Sequence, residues 1–101
     1  ISASRSNIVT IRDQILAAIR RYKANDYQVK IFCDVFASLY FYQNGGYKSF
    51  SEKEREALDK IGFIAERCTD VQEDLAQYPN NYYSEAQAKQ LIDDVLEKLN
   101  F

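Results

Sequence analysis

The sequence predicts an all-α protein, an antiparallel four-helix bundle with or without a short extra helix before the last helix. Apolar residues recur at spacings of three and four in four segments, and helix-starting or helix-stopping residues flank these segments. Only three glycines and one proline occur in 101 residues, which argues against a turn-rich β fold. We therefore expect residues 8–101 to form a single helical domain and residues 1–7 to be a cloning remnant or a disordered terminus.

The first two helices are predicted from an N-cap and from their apolar patterns. Thr10 is a candidate N-cap for a helix with one apolar stripe, and Asn25-Asp26 is expected to end that helix and cap the next. The second segment, from residue 27 to about residue 42, is apolar on almost every side, which is typical of a central helix. Asn44-Gly45-Gly46 is expected to stop it.

The third and fourth helices each begin with a predicted capping box. Ser51 and Glu54 form the first box, and this helix is expected to run to about Cys68. A short helical turn through Gln77 follows, and Ser84 with Gln87 forms the second box. The inner positions of the last helix are predicted to be Ala88, Leu91, Ile92, Val95, Leu96 and Leu99.

Charge and composition restrict the functional classes. The formal net charge is −2, but residues 1–50 carry seven basic against three acidic side chains, whereas residues 51–101 carry six against twelve. An acidic half disfavours nucleic-acid backbones and favours a basic protein surface.

Histidine is absent, which removes the commonest general base and metal ligand, so we expect no enzyme activity, metal or cofactor. Cys33 and Cys68 are expected to be buried free thiols. No apolar run is long enough for a membrane span and no signal peptide is visible, so we expect a cytoplasmic protein that contacts neither membrane nor nucleic acid directly.

The outer face of the third helix is the candidate binding surface. Helical periodicity places an aromatic residue, Phe63, within an arc of acidic side chains, and Gly62 beside it indicates a close approach. Alternatively, this face is simply solvated and Phe63 packs under a loop. The tyrosines around Pro79 also leave two options, a plug at the end of the bundle or exposed hydroxyls. The acidic residues are Glu52, Glu56, Asp59 and Glu66, extended by Asp70, Glu73 and Asp74 if the chain stays helical.

Two stretches of sequence carry a family resemblance. One is Ala65-Glu66-Arg67-Cys68, an acidic stretch from Asp70 to Asp74, and Gln77-Tyr78-Pro79-Asn80-Asn81-Tyr82-Tyr83-Ser84-Glu85. The other is Ile31-Phe32-Cys33-Asp34-Val35-Phe36, a tyrosine-rich helix end, and Ser51-Glu-x-Glu54. In order and length, over about residues 8–99, they resemble the bacterial self-protective, colicin D-type immunity family. Cys68 departs from the phenylalanine usual in the family, which affects packing more than the acidic face.

The resemblance implies an immunity protein for a bacteriocin or contact-dependent growth inhibition toxin. Toxins of this class cleave tRNA, and the immunity protein covers the active site with acidic residues in place of RNA phosphates. The glutamate of the Ala-Glu-Arg motif is Glu66 here, and Asp70, Glu73 and Asp74 match the acidic stretch more loosely. Our toxin-binding candidates are Glu66, Asp70, Glu73, Asp74 and Asp59, with Phe63, Tyr78 and Tyr83 as aromatic anchors.

Two other classes of binding protein remain open from the sequence. One is a small helical regulator or adaptor that binds a partner helix in a groove. The other is a nucleic-acid-binding bundle that uses Arg12, Arg20, Arg21, Lys23 and Lys30, which the acidic half opposes. The sequence does not predict the oligomeric state.

Overall fold

The computed structural model describes residues 10–42 and 45–99, and this part of the chain is all-helical, as predicted. The expectations for residues 1–7 and for Asn44 lie outside it. A π-helical turn, Ser38–Tyr42, extends the second helix, and a 3₁₀ turn, Gly46–Ser49, precedes the third. The α-helices are α1 Ile11–Lys23, α2 Val29–Ala37, α3 Glu52–Arg67, α4 Gln72–Gln77 and α5 Glu85–Leu99.

Helix α2 lies at the centre of the packing, in agreement with its apolar sequence. It packs against α1, α3 and α5, and α3 also packs against α5. Four rings form a row along the interior, with centroid distances of 4.5 Å, 5.6 Å and 5.0 Å between Tyr22, Phe32, Phe36 and Tyr40. Because each large apolar side chain contributes roughly 1.5–3 kcal/mol when buried, this aromatic row is a major part of what holds the helices together. The fully buried large side chains are Tyr40, Phe32, Phe36, Ile15, Ile19, Leu58, Ile61, Ile92 and Cys33.

The start of α1 follows the prediction, but the start of α2 does not. The Thr10 hydroxyl oxygen accepts a hydrogen bond from the Asp13 N–H at 3.1 Å. Asn25 has a φ of 64°, which turns the chain after α1. The predicted cap by Asp26 is wrong: the N-cap of α2 is Gln28, without a side-chain cap bond. The Asp26 N–H donates instead to the Arg21 carbonyl at 2.8 Å, so Asp26 closes α1.

Both predicted capping boxes are present. The Glu54 N–H donates to Ser51 Oγ at 3.2 Å, and the Ser51 N–H donates to Glu54 Oε1 at 2.9 Å. At α5 the Gln87 N–H donates to Ser84 Oγ at 3.2 Å and the Ser84 N–H donates to Gln87 Oε1 at 3.0 Å. These reciprocal bonds satisfy donors that the first helical turn leaves free, and they fix where α3 and α5 begin.

Gly62 has a structural role that brings α2 and α3 together. It is buried, and a Cβ at this position would lie 2.6 Å from Cζ of Phe41. The absence of a side chain at Gly62 therefore leaves room for the ring of Phe41, which lies in the π-helical turn. The close approach that the sequence indicated at Gly62 comes from the chain's own ring, so Gly62 lies inside the fold and not on the outer acidic arc.

A backbone bridge closes the segment that follows α3. Cys68 adopts an extended conformation with a ψ of 125°, so the helix ends at Arg67. The Tyr83 N–H donates to the Arg67 carbonyl at 2.8 Å, and the Thr69 N–H donates to the Tyr83 carbonyl at 2.9 Å. Residues 70–82, which include α4, therefore form a segment whose two ends are held together by these hydrogen bonds. We call them the 70–82 segment.

Candidate protein-binding site

Glu66 forms a hydrogen-bonded pair with a tyrosine that is not among the predicted site residues. The Tyr42 hydroxyl donates to Glu66 Oε2 at 2.7 Å, and the Tyr42 side chain is 72% exposed. This hydrogen bond to the carboxylate, rather than burial, is the main cause that raises the pKa of Tyr42. Tyr42 is placed by its neighbour: Phe41 packs on Gly62, and Glu66 lies one helical turn after Gly62 on α3. The pairing is thus a consequence of how α2 meets α3.

Phe63 is exposed, as the binding hypothesis required, but its ring is already engaged by a cation. The side chain is 49% exposed, and the Arg67 guanidinium carbon lies 3.6 Å from the ring centroid. Arg67 Nη1 also donates to the Phe63 carbonyl at 3.0 Å. Arg67 is therefore turned back along α3 onto Phe63, and no ion pair within the described part of the chain includes Glu66.

Tyr78 shares a shallow depression with Glu66. The depression has a volume of about 460 Å³ and is lined by Glu66, Arg67, Tyr78, Asn81 and Tyr82. Tyr78 is 49% exposed and meets Tyr82 edge-on, with 6.3 Å between ring centroids. The tyrosines around Pro79 therefore divide: Tyr78 presents its ring to solvent, whereas Tyr83 packs against the core. We call Tyr42, Phe63, Glu66 and Tyr78 the aromatic–acidic surface.

Asp59 and Tyr83 lie at a second, more apolar feature. A groove of about 630 Å³ runs between α3 and α5, with Phe63 and Leu91 among its lining residues. Leu91 is exposed, so its predicted inward orientation is wrong, because nothing in the described structure covers the groove at that point. Asp59 is exposed but accepts a hydrogen bond from the buried Tyr40 hydroxyl at 2.5 Å, which ties it to the fold.

The acidic stretch after α3 does not continue the helical arc. Because the chain turns at Cys68, Asp70, Glu73 and Asp74 belong to the 70–82 segment and not to the face of α3. Asp70 is exposed and lies close enough to Lys30 to contribute to the raised pKa of that lysine, whose main cause is the hydrogen bond to Asp34. Glu73 is exposed and Asp74 is half-buried. Of the predicted toxin-binding residues, the fold groups Glu66 with Phe63 and Tyr78.

The basic residues near the start of the chain are partly neutralised. Arg12 forms a two-bond ion pair with Glu54, at 3.1 Å and 2.8 Å. Arg12 therefore lowers the pKa of Glu54 to about 2, with help from the Ser51 N–H. Lys30 pairs with Asp34 at 2.7 Å, and Arg21 Nη1 donates to the Tyr27 hydroxyl at 3.2 Å. These partners weaken the case for a continuous basic stripe.

The two cysteines are free and buried, as predicted. Burial raises the pKa of both thiols, so they are poor nucleophiles at neutral pH. Within residues 10–42 and 45–99, no three His, Cys, Asp or Glu side chains gather in a way that could hold a metal ion. In the same ranges, no helix combines the length and the apolar character that crossing a membrane requires.

Comparison with known proteins adds no relative: no family model, no curated protein and no solved structure matches the chain.

Proposed function

We propose that this chain is an immunity protein that binds a cognate toxin nuclease domain and blocks its active site. The nuclease is proposed to be a tRNase, and the immunity protein to be cytoplasmic, non-enzymatic and without a cofactor. In this proposal the four longer helices serve as an antiparallel four-helix bundle, with α4 as the short extra helix. The aromatic–acidic surface presents a carboxylate to basic side chains that otherwise bind RNA phosphates.

The observation that carries the proposal is the grouping of Glu66 with exposed aromatic side chains. A carboxylate without an ion-pair partner in the described chain is available to a basic partner, and Tyr42 and Tyr78 supply exposed rings beside it. Charge mainly sets the rate and specificity of association, whereas buried aromatic side chains supply most of the affinity. The sequence resemblance to colicin D-type immunity proteins names the same glutamate.

The test is co-expression with the toxin domain encoded immediately upstream, scored by growth and by intact tRNA. Rescue of growth with intact tRNA is the expected result. Continued killing, with this chain shown to be folded and present, would overturn the proposal.

A charge reversal then tests the surface itself. We expect Glu66→Lys to weaken toxin binding by more than about tenfold, because it repels a basic surface and removes the acceptor of the Tyr42 hydroxyl. Glu97→Lys is the matched control, since Glu97 is exposed on α5 and lines a different surface near Tyr22. Isothermal titration calorimetry gives both affinities, and circular dichroism checks that both variants fold. Equal binding by the wild type and Glu66→Lys would exclude Glu66 from the interface.

The groove between α3 and α5 supports a second candidate, a helical regulator or adaptor. Its apolar floor and exposed Leu91 would suit the apolar face of a partner helix. Such binding would change little with salt, whereas binding through the aromatic–acidic surface would weaken as salt screens the charges. Leu91→Arg separates the two candidates, because Leu91 lines the groove, whereas Tyr42, Glu66 and Tyr78 lie outside it.

A further inference from the structure

One arginine of the chain, Arg12, is held by a carboxylate and an aromatic ring, and a second, Arg21, contacts both the hydroxyl and the ring of one tyrosine. Arg12 bonds to both carboxylate oxygens of Glu54, and its guanidinium carbon lies 4.6 Å from the centroid of the Phe50 ring. Arg21 bonds to the Tyr27 hydroxyl while its guanidinium carbon lies 5.6 Å from that ring's centroid. A planar guanidinium can stack on a ring and direct its N–H groups at an acceptor in the same plane.

Tyr42 and Glu66 offer the same two groups on the surface. The ring and the carboxylate are joined by the 2.7 Å hydrogen bond, and the ring is 72% exposed. Among the described residues, no cation lies over the Tyr42 ring, although cations lie over Tyr22, Tyr27, Tyr47, Phe50 and Phe63. The nearest arginine along α3, Arg67, is held on Phe63.

We propose that Tyr42 and Glu66 together form a binding site for an arginine side chain of the protein partner. The guanidinium stacks on the Tyr42 ring and donates to the Glu66 carboxylate, which keeps Oε1 and further lone pairs available beyond the Tyr42 bond. This inference deepens the proposed function and rests on it for the identity of the partner, but the chemistry of the site can be tested without the toxin.

The geometry around the site limits how much rearrangement binding requires. Phe41 is fixed against Gly62 and meets the Tyr42 ring edge-on, with 6.2 Å between centroids. The Tyr42 hydroxyl holds one carboxylate oxygen of Glu66 in place. Because ring and carboxylate are already held together, little side-chain freedom remains to be lost on binding. A lysine ammonium lacks the planar fork, so the site should prefer arginine over lysine.

The test compares two capped octapeptides of equal charge, one alternating glycine with arginine and the other glycine with lysine. Both are titrated by NMR at low salt against the full chain. We expect the arginine peptide to bind about twofold to fivefold more tightly, the affinity ratio that corresponds to an exposed cation–π contact. Shifts should centre on the signals of Tyr42 and Glu66. Equal affinity for the two peptides would overturn the inference.

Three variants assign the preference to the pair. Tyr42→Leu removes the ring and Glu66→Gln removes the charge, and each should bring the ratio of the two affinities to about one. Glu97→Gln is the control, because Glu97 is exposed on α5, away from the acidic face of α3, and the charge change is the same; its ratio should stay at the wild-type value. Thermal unfolding of each variant checks that the fold is unchanged.

The outcomes for the two proposals can be told apart. An unchanged arginine preference in Tyr42→Leu and Glu66→Gln would overturn the arginine site, even if co-expression rescues growth. A lost preference in both variants, together with failed rescue, would support the arginine site and overturn the toxin as its partner.

Discussion

Among the described residues, three tyrosine hydroxyls donate to carboxylates on other helices, and two of the three tyrosines differ sharply from the third in burial. The Tyr22 and Tyr40 rings are buried, whereas the Tyr42 ring is among the most exposed aromatic side chains of the described residues. The pairs are Tyr22 with Asp93 at 2.7 Å, Tyr40 with Asp59 at 2.5 Å, and Tyr42 with Glu66 at 2.7 Å.

The same hydrogen bond therefore serves two purposes. For Tyr22 and Tyr40, burial is the first cause that raises the pKa, and the carboxylate adds to it. These bonds satisfy hydroxyls of core rings and link helices, so they stabilise the fold. For Tyr42 the carboxylate is the first cause, because the ring remains in water. Folding gains little apolar burial from Tyr42, which leaves its ring available to a partner.

The largest difference should come from truncating a buried and an exposed tyrosine of the same π-helical turn. Tyr40→Ala should lower the free energy of unfolding by about 3–5 kcal/mol, because it leaves a cavity among buried rings. Tyr42→Ala should lower it by less than about 0.5 kcal/mol, because the side chain is exposed. Urea unfolding measures both. A loss of about 2 kcal/mol or more in Tyr42→Ala would place Tyr42 with the fold-supporting tyrosines.

A smaller loss of stability is expected from a substitution at Gly62, the position against which the Phe41 ring packs. Gly62→Val should destabilise the protein by about 2 kcal/mol, since its side chain collides with the Phe41 ring. Lys60→Val is the control at an exposed position of α3 and should change stability by about 0.5 kcal/mol or less.

A double-mutant cycle with Phe41→Ala tests whether the Phe41 ring is the cause of this loss of stability. In Phe41→Ala, the added Gly62→Val substitution should cost less than it does in the wild type, because the ring that it meets is gone. Equal costs in the two backgrounds would contradict the packing explanation. Chemical unfolding of the four proteins in this cycle gives the comparison.

The smallest expected effect comes from the carboxylate of Glu54, which forms an ion pair with Arg12. The pKa of Glu54 falls from 4.5 to about 2 in the folded protein. A lowered pKa gives stability that is fully present above pH 4.5 and is lost as the pH falls towards 2. Because the pair is partly exposed, we expect only about 0.5–1 kcal/mol. Glu54→Gln keeps a capping-box residue and removes the charge.

Thermal unfolding between pH 7 and pH 2 is the measurement. Glu54→Gln should be less stable than the wild type at pH 7, and the gap should close as the pH approaches 2. If the difference in stability between the wild type and Glu54→Gln did not change with pH, the ion pair with Arg12 would not be its cause.

Local sequence patterns determined the helices well where the signal lies within a few residues. Thr10, Ser51 and Ser84 cap their helices as predicted, because a cap and its partner lie three residues apart. The prediction for Asp26 was wrong because two neighbouring helices compete for the same turn, and its N–H closes α1.

The candidate site was only partly predictable. Helical spacing brought Phe63 and Glu66 to one exposed face of α3. Helical spacing does not place Asp70 and Glu73 correctly, because α3 ends before them: the chain becomes extended at Cys68, which pairs with Tyr83. Tyr42 was missed, since a tyrosine at the end of an apolar helix is indistinguishable in sequence from the core residues before it.

The sequence alone determined the helical class, the starts of α1, α3 and α5, most of the core and the acidic character of the α3 face, because these depend on periodicity and on contacts within one turn. Tertiary structure decided which aromatic side chain meets Glu66. That contact depends on Phe41 entering the space at Gly62, twenty-one positions further along the chain. No local pattern encodes such a distance, because the contact is set by the way α2 packs on α3.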